Sequence, residues 1–436
     1  MVVHPKPGST SKSVSARYTY SALARRGYAT SVEALTVPVY GLYAGATNQV
    51  DIETSFTDGS TKAASMELVT PPYDPPGWVY GNATIAQARL ADVPLGFSFY
   101  MIKNQVGPPV VMDTDGEVRW VGAAVSNSAS SRFTGGGIVV GDAATPVLRR
   151  LELDGTSSVI PLAANGWTDF HHDIADGKSG LLVPVDVSRD GRPQLESVLG
   201  EVDTSGAVLH EWSMGDIIAR TMSAGGDDPS LFVRDGVDWF HMNSAFYESS
   251  DDSLIVSSRE NFVAKIDYET GDLIWLFGDP TKYWATFPSL ASKALTLADG
   301  GLWPIGQHAV TLTADGLLLL FNDGTPSLNQ PADAPMGDTL SSSSVGAYSI
   351  DATGRLATQV WRFEHDPPLY SEFCSSVYQA ADGSLLVDYA EANGDQAVLI
   401  GLGSQHQTAF ELSFPTVFCN SAWNAEPIQF EDQSFE

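Results

Sequence analysis

Basic residues are scarce in this chain: 23 Lys plus Arg stand against 53 Asp plus Glu in 436 residues, a formal net charge of −30. Such a field argues against nucleic-acid binding and against docking on anionic membranes. It would equally repel an anionic small molecule, so a substrate of that kind needs a local cationic pocket. Long apolar runs are missing too. No stretch reaches the ~18 apolar residues of a transmembrane helix, and the opening "MVVHPKPGSTSKSVSARYTYS" has no apolar signal core. The protein is then either cytoplasmic or has had a leader removed. Cysteine is nearly absent, and two of them do not decide the redox compartment. A sustained 3.6-residue apolar period is also lacking, which leaves room only for short helices in loops, at 213–223 and 288–298.

What the chain does have is repetition. An apolar-Asp-x-x-Gly turn followed by apolar and aromatic residues returns as "VVMDTDGEVRWVG", "LRRLELDGTSSVIPL", "GEVDTSGAVLHEW", "AKIDYETGDLIWLFG" and "YSIDATGRLATQVWRF". Each is a strand–turn–strand signal. Between these copies lies a second hairpin, as in "FHHDIADGKSGLLVPVD", "FHMNSAFYESSDDSLIVSSR", "GQHAVTLTADGLLLLFND" and "EFCSSVYQAADGSLLVDYA". Two hairpins make four strands, and about six such units fit residues 107–436. The expected fold is therefore all-β, a six-bladed β-propeller over 107–436. Residues 1–106 carry none of the repeat. Alternating runs over 35–100 suit a small N-terminal β-sandwich, with the first ~30 residues as an arm. Long connections at 213–238, 279–305 and 324–346 interrupt the spacing and are candidate functional loops.

Three of the eight histidines fall at one repeat position. His172 and His308 each precede a turn glycine, Gly180 and Gly316, by eight residues, and His241 begins the equivalent strand. In a propeller, equivalent inner-strand positions form a ring at the axis, so three imidazoles would converge. If "ESSDDS" is a turn, Arg259 returns beside His241. If Asp315-Gly316 is a two-residue turn, His308 falls opposite Asp323, which could hold one ring nitrogen and leave the other free. Asn243 shares the strand face of His241. Asp186 is a further candidate, or merely a polar residue flanking a turn. A lone strand histidine is ordinarily a satisfied core residue, but three at one position need a common cause. A three-histidine metal site is the chemical rival. Arg259 speaks against it, since a guanidinium repels a cation and favours an oxyanion.

At these residues the sequence resembles the bacterial aryl-sulfate sulfotransferases that need no adenosine-phosphosulfate donor. The likeness runs through "MDTDGEVRWVG", "FHHDIADG", "DWFHMNSAFYESSDDSLIVSSRENFVAKIDYETGDLIWLFGDP" and "GQHAVTLTADGLLLLFNDG". "VPVYGLYAGATNQVDIETSF" is more loosely similar to that family's N-terminal β-sandwich. The resemblance implies ping-pong transfer of a sulfuryl group from a phenolic sulfate donor to an acceptor phenol. By motif it makes His308 the nucleophile, with His172, His241, Asn243 and Arg259 in support and His171 ranked behind them. It implies no cofactor, no metal, a periplasmic or secreted setting and a homodimer. The family's disulfide has no counterpart ahead of His308; Cys374 and Cys419 either pair across neighbouring blades or the enzyme manages without a bridge. Rival readings are a metal-dependent sulfatase or other hydrolase, a non-catalytic propeller that binds a partner, and a relative acting on another ester such as a phosphate.

Overall fold

The recurring Asp-x-x-Gly turns fold as their chemistry requires. The Asp113 carboxylate accepts backbone N–H bonds from Asp115 at 3.1 Å and Glu117 at 3.0 Å, and Asp203 does the same for Ser205 and Ala207. The glycine that follows, Gly116 or Gly206, takes φ 86°, where a side chain would be strained. Each such turn joins two apolar-rich strands, and the computed structural model, which describes residues 1–31, 34–123, 125–142, 146–162 and 165–436, is nearly all-β.

Among the described residues, six antiparallel sheets have a common core of four strands. The second runs through Ser131–Thr134, Gly137–Asp142, Val147–Glu152 and Ser157–Pro161 in chain order. The third is Trp167–Phe170, Leu181–Arg189, Arg192–Val202 and Val208–Ser213, with Ala175–Asp176 continuing its first strand past a break at residues 171–174. The fourth begins at Met242–Glu248 and the fifth at His308–Leu312; Ser376–Gln379 opens the sixth. The first sheet draws on distant parts of the chain: Asn424–Ile428 pairs with Phe99–Lys103, which leads to Val110–Asp113 and Val118–Val121.

Successive sheets pack face to face through alternate apolar residues. Val139 and Leu148 meet Val183 and Val198; Ile255 and Val263 meet Val310 and Leu320. The sixth sheet meets the first through Leu386, Leu399 and Phe410 against Tyr100 and Ile102. Each such buried aliphatic side chain is worth about 1.5–3 kcal/mol. The opening strands of the later sheets neighbour one another in turn: Ala175–Asp176, Met242–Glu248, His308–Leu312, Ser376–Gln379, then Asn424–Ile428. The short helices form at Met214–Gly225, capped by Ser213, and at Pro288–Ala291.

The first hundred residues depart from the expectation of a separate sandwich. Val2–Val3, Val14–Tyr18, Thr47–Ser55 and Thr61–Val69 form a single five-stranded sheet with Asp432–Phe435. Its apolar face, including Val3, Val14 and Val50, is covered by Phe99, Val111 and Ile138 of the first two sheets, so it needs no second layer of its own. "GFSFYMI" supplies a strand of the first sheet and Thr84–Gln87 edges the sixth. The expected division at 106/107 thus falls between two paired strands. An alternating run cannot announce which distant sheet it will join.

Candidate active site

Five strand entries around one cavity bend through the left-handed region on non-glycine residues. His172 has φ 55°, His241 54°, Ala309 50°, Cys374 63° and Cys419 56°. Such conformations cost on the order of 1–3 kcal/mol each and persist only where the surroundings fix them. They turn side chains out of the sheets and into one cavity of about 220 Å³. Its polar wall is His172, His241, His308, Arg259 and Gln105. Its apolar wall is Phe373, Phe418, Trp423 and the disulfide between Cys374 and Cys419. The bridge answers the alternative left open for those cysteines: they pair.

The imidazoles converge. The rings of His172 and His241 are 4.7 Å apart and those of His172 and His308 are 6.0 Å apart. His308 Nδ1 donates to Asp323 and lies 3.0 Å from the Gly306 carbonyl. A carbonyl only accepts, so Nδ1 carries the proton and Nε2 keeps its lone pair toward the cavity. Burial, aided by the charges of His172, His241 and Arg259, drives the His308 pKa well down and keeps the ring neutral. Burial pushes the Asp323 carboxyl well up, against the pull of Arg259. The contact arises by a different register from the simple two-residue turn. The turn spans residues 313–317, His308 pairs with Phe321 across a bulge, and Asp323 reaches the ring from two residues farther on.

His241 and Arg259 do lie side by side, the Arg259 backbone N–H donating to the His241 carbonyl at 3.0 Å. Both Glu196 at 2.9 Å and Asp238 at 2.6 Å contact His241 Nδ1. Burial opposes charge on this ring, but those carboxylates lift its pKa to about 9. His172 goes the other way, lowered to about 4 by burial and by the charged His241, although Glu196 touches its Nε2 at 3.2 Å. His171 faces away from the cavity between Asp186 at 3.0 Å and Glu196 at 3.1 Å. Burial works against its charge, yet the two acids raise its pKa to about 10. Arg259 is 3% exposed. Its Nη2 binds Glu260, while Nη1 is buried and has no partner among the described residues, a donor waiting for an acceptor.

Asn243 stands behind the wall. Its amide donates to the Gln307 carbonyl at 2.7 Å, and Gln307 Nε2 donates to the Ser258 carbonyl at 2.7 Å. That pair sets the His308 strand against the His241 strand. Lys282, its pKa lowered by burial to about 8, donates to the carbonyls of Arg259 and Glu260. The Glu260 carboxylate also accepts from the backbone of Leu328 and Asn329, which anchors the 324–346 loop beside the site. A ring nitrogen from each of His172, His241 and His308 lies within 4.8 Å of the others. The Arg259 Nη1 donor beside them suits an anion better than a metal ion.

Sequence reasoning missed Glu196, Asp238, Glu260 and Lys282, as well as the aromatic wall. Asp238 gave a signal, standing three residues before His241 in "DWFH". Glu196 gave none, because it comes from the third strand of its sheet.

A family model described as arylsulfotransferase (ASST) matches residues 87–421. Two curated proteins named arylsulfate sulfotransferase AssT are similar. The one from Escherichia coli O6:H1 is 28% identical over 241 residues, covering 50% of this chain and 39% of that protein. The one from Lelliottia amnigena is 27% identical over 237 residues, covering 49% and 38%. The chain thus spans less than two fifths of the length of these relatives. Among solved structures, the β-propeller domain of Myceliophteria thermophila Cps50 (Swd1) aligns with a TM-score of 0.40 at 12% identity, over 76% of this chain and 88% of that one.

Proposed function

Because this chain belongs to the arylsulfotransferase family, we propose that it moves a sulfuryl group from a phenolic sulfate ester to an acceptor phenol through a sulfohistidine on His308. The six sheets are read as the blades of a propeller whose hub holds the site. One observation carries the reading: a neutral imidazole with its lone pair free shares a cavity with a buried guanidinium nitrogen that has no partner among the described residues.

In the first half-reaction the His308 Nε2 lone pair attacks sulfur, and the S–O bond to the aryl group breaks. The Arg259 Nη1 donor binds the sulfuryl oxygens as charge shifts onto them. Asp323 accepts from Nδ1 and balances the charge that appears on the ring. A protonated imidazole, His172 or His241, delivers a proton to the departing phenolate oxygen. In the second half-reaction the same imidazole takes the proton of an acceptor phenol, whose oxygen attacks sulfur and frees His308. The phenolate, with a conjugate acid near pKa ~10, is a workable leaving group where an alkoxide is not. The ring walls of Phe373, Phe418 and Trp423 suit an aryl group. No nucleotide sulfate donor and no cofactor enters this scheme. The Cys374–Cys419 bridge supports a periplasmic or secreted setting, and a homodimer remains part of the proposal.

The test is mass spectrometry after mixing with p-nitrophenyl sulfate and quenching at alkaline pH. The expected result is one sulfuryl adduct on His308, formed equally after treatment with a chelator. His308→Ala protein that still transfers sulfate would remove the assignment.

A further inference from the structure

Glu196 sits where no catalytic acid is expected, on the third strand of the third sheet. The strand bulges there: Val185 pairs with Val198 but Val187 pairs with Gln194, and Glu196 falls in the slack with φ 44°. Its backbone N–H is held by the Asp186 carboxylate at 2.6 Å. This kink throws the side chain across to three imidazoles at once: His171 Nδ1 at 3.1 Å, His172 Nε2 at 3.2 Å and His241 Nδ1 at 2.9 Å. A left-handed glutamate, a bulge and a triply shared carboxylate in one place are too costly for a residue that only fills space.

We propose that Glu196 is a positioning residue that gives the proton-transfer role to His241 and withholds it from His172. This rests on the sulfuryl-transfer reading of the site and deepens it. The contact to His241 falls on Nδ1, so that nitrogen is committed as a donor and Nε2 bears the proton that can be exchanged with substrate. Asp238, 2.6 Å from the same Nδ1, adds a second anion. The opposing neighbours are cationic Arg259 and the rings of His172 and His308. Glu196, shared with the cationic His171, and Asp238 outweigh Arg259, whose own charge is paired with Glu260, so the His241 ring is kept charged, at a pKa of about 9, close to the ~10 of a phenol. Near-matched acidities let one proton pass both ways. His241 Nε2–H goes to the departing phenolate oxygen, and the acceptor phenol later returns a proton to the same nitrogen. His172 sees Glu196 only through Nε2, lies against Trp423 at 5.0 Å, and, its pKa lowered to about 4 mainly by burial, is neutral at pH 7.

The experiment compares wild-type and Glu196→Gln protein with p-nitrophenyl sulfate and with phenyl sulfate, across pH. The former donor leaves as a stable anion and needs little proton help. The alkaline limb of kcat for phenyl sulfate is expected to move toward acid by about one pH unit, within the 1–3 units a close opposite charge is worth. Above the alkaline limb, where a one-unit shift leaves about tenfold less protonated His241, the variant loses roughly tenfold more activity on phenyl sulfate than on p-nitrophenyl sulfate. An unmoved limb, with equal losses on both donors, would show Glu196 to be structural and overturn the proposal. Asp238→Asn gives the same readout from the second anion, and an unmoved limb there counts equally against the proposal should the Gln variant not fold. Wild-type protein that forms no His308 adduct sinks the transferase reading instead, so the two failures are distinct.

Discussion

Replacing Asp323 by Asn changes charge and hydrogen-bond polarity at the nucleophile while keeping its shape. The residue is fully buried and accepts from His308 Nδ1, with the Ser375 hydroxyl also acting on its carboxyl. In the sulfurylated intermediate the His308 ring is cationic, with Nε2 bonded to sulfur and Nδ1 still protonated. A carboxylate about 4 Å from that charge contributes roughly 4 kcal/mol at an effective dielectric of about 20. Losing it slows N–S bond formation by roughly 10³-fold. A second route leads the same way. The new amide can turn its NH₂ toward Nδ1, which shifts the proton to Nε2 and removes the lone pair; the Gly306 carbonyl, 3.0 Å from Nδ1, opposes that flip. Donor binding, which draws on Arg259 and the aromatic wall, changes little. Rapid-quench measurement of the p-nitrophenol burst separates chemistry from binding. A burst rate within about threefold of wild type, less than 1 kcal/mol, would refute the electrostatic role given to Asp323.

Arg259→Lys keeps the charge but cannot hold Glu260 and a sulfuryl group with one planar fork; kcat/KM is expected to fall about 10²–10³-fold with the fold intact by circular dichroism. His171 and His241 have folded pKa values raised to about 10 and about 9. Their contribution to stability is complete below the unfolded value of ~6.5 and is lost as pH climbs through those values, so urea midpoints should be lower at pH 10 than at pH 6.5. The Cys374–Cys419 bridge spans a sequence separation of 45, and chain-entropy arguments give it about 4 kcal/mol; the double Ala variant should lose that much in urea titration and show a raised KM for aryl donors. With a net charge of −30, kcat/KM for an anionic donor should rise from low ionic strength toward about 0.1 M as repulsion is screened, and a steady fall from the lowest salt would contradict this.

The strand content and the hub histidines were legible because both rest on local or repeating signals. Asp-x-x-Gly turns act within four residues, and the repeated hairpin puts His172, His241 and His308 in equivalent strand entries. The Arg259–His241 pairing needed only one hairpin. Three features depended on bulges or on distant partners, which a period-2 pattern cannot encode. The His308–Asp323 contact survives a bulge that breaks the simple register. Glu196 enters through a bulge in a strand whose alternation is otherwise ordinary. The first sheet pairs residues more than three hundred apart, so "GFSFYMI" read as part of an N-terminal sandwich when its partner is Asn424–Ile428.

That last pairing governs the order of events during synthesis. Residues 419–428 bring one half of the disulfide, the indole against His172 and the strand that joins the sixth sheet to the first, while Asp432–Phe435 clasps Val14–Tyr18. Every one of these leaves the ribosome after the reactive imidazole and its guanidinium neighbour have been made. A nascent chain that stops short of residue 419 therefore lacks the Cys419 and Trp423 side of the cavity that holds His308.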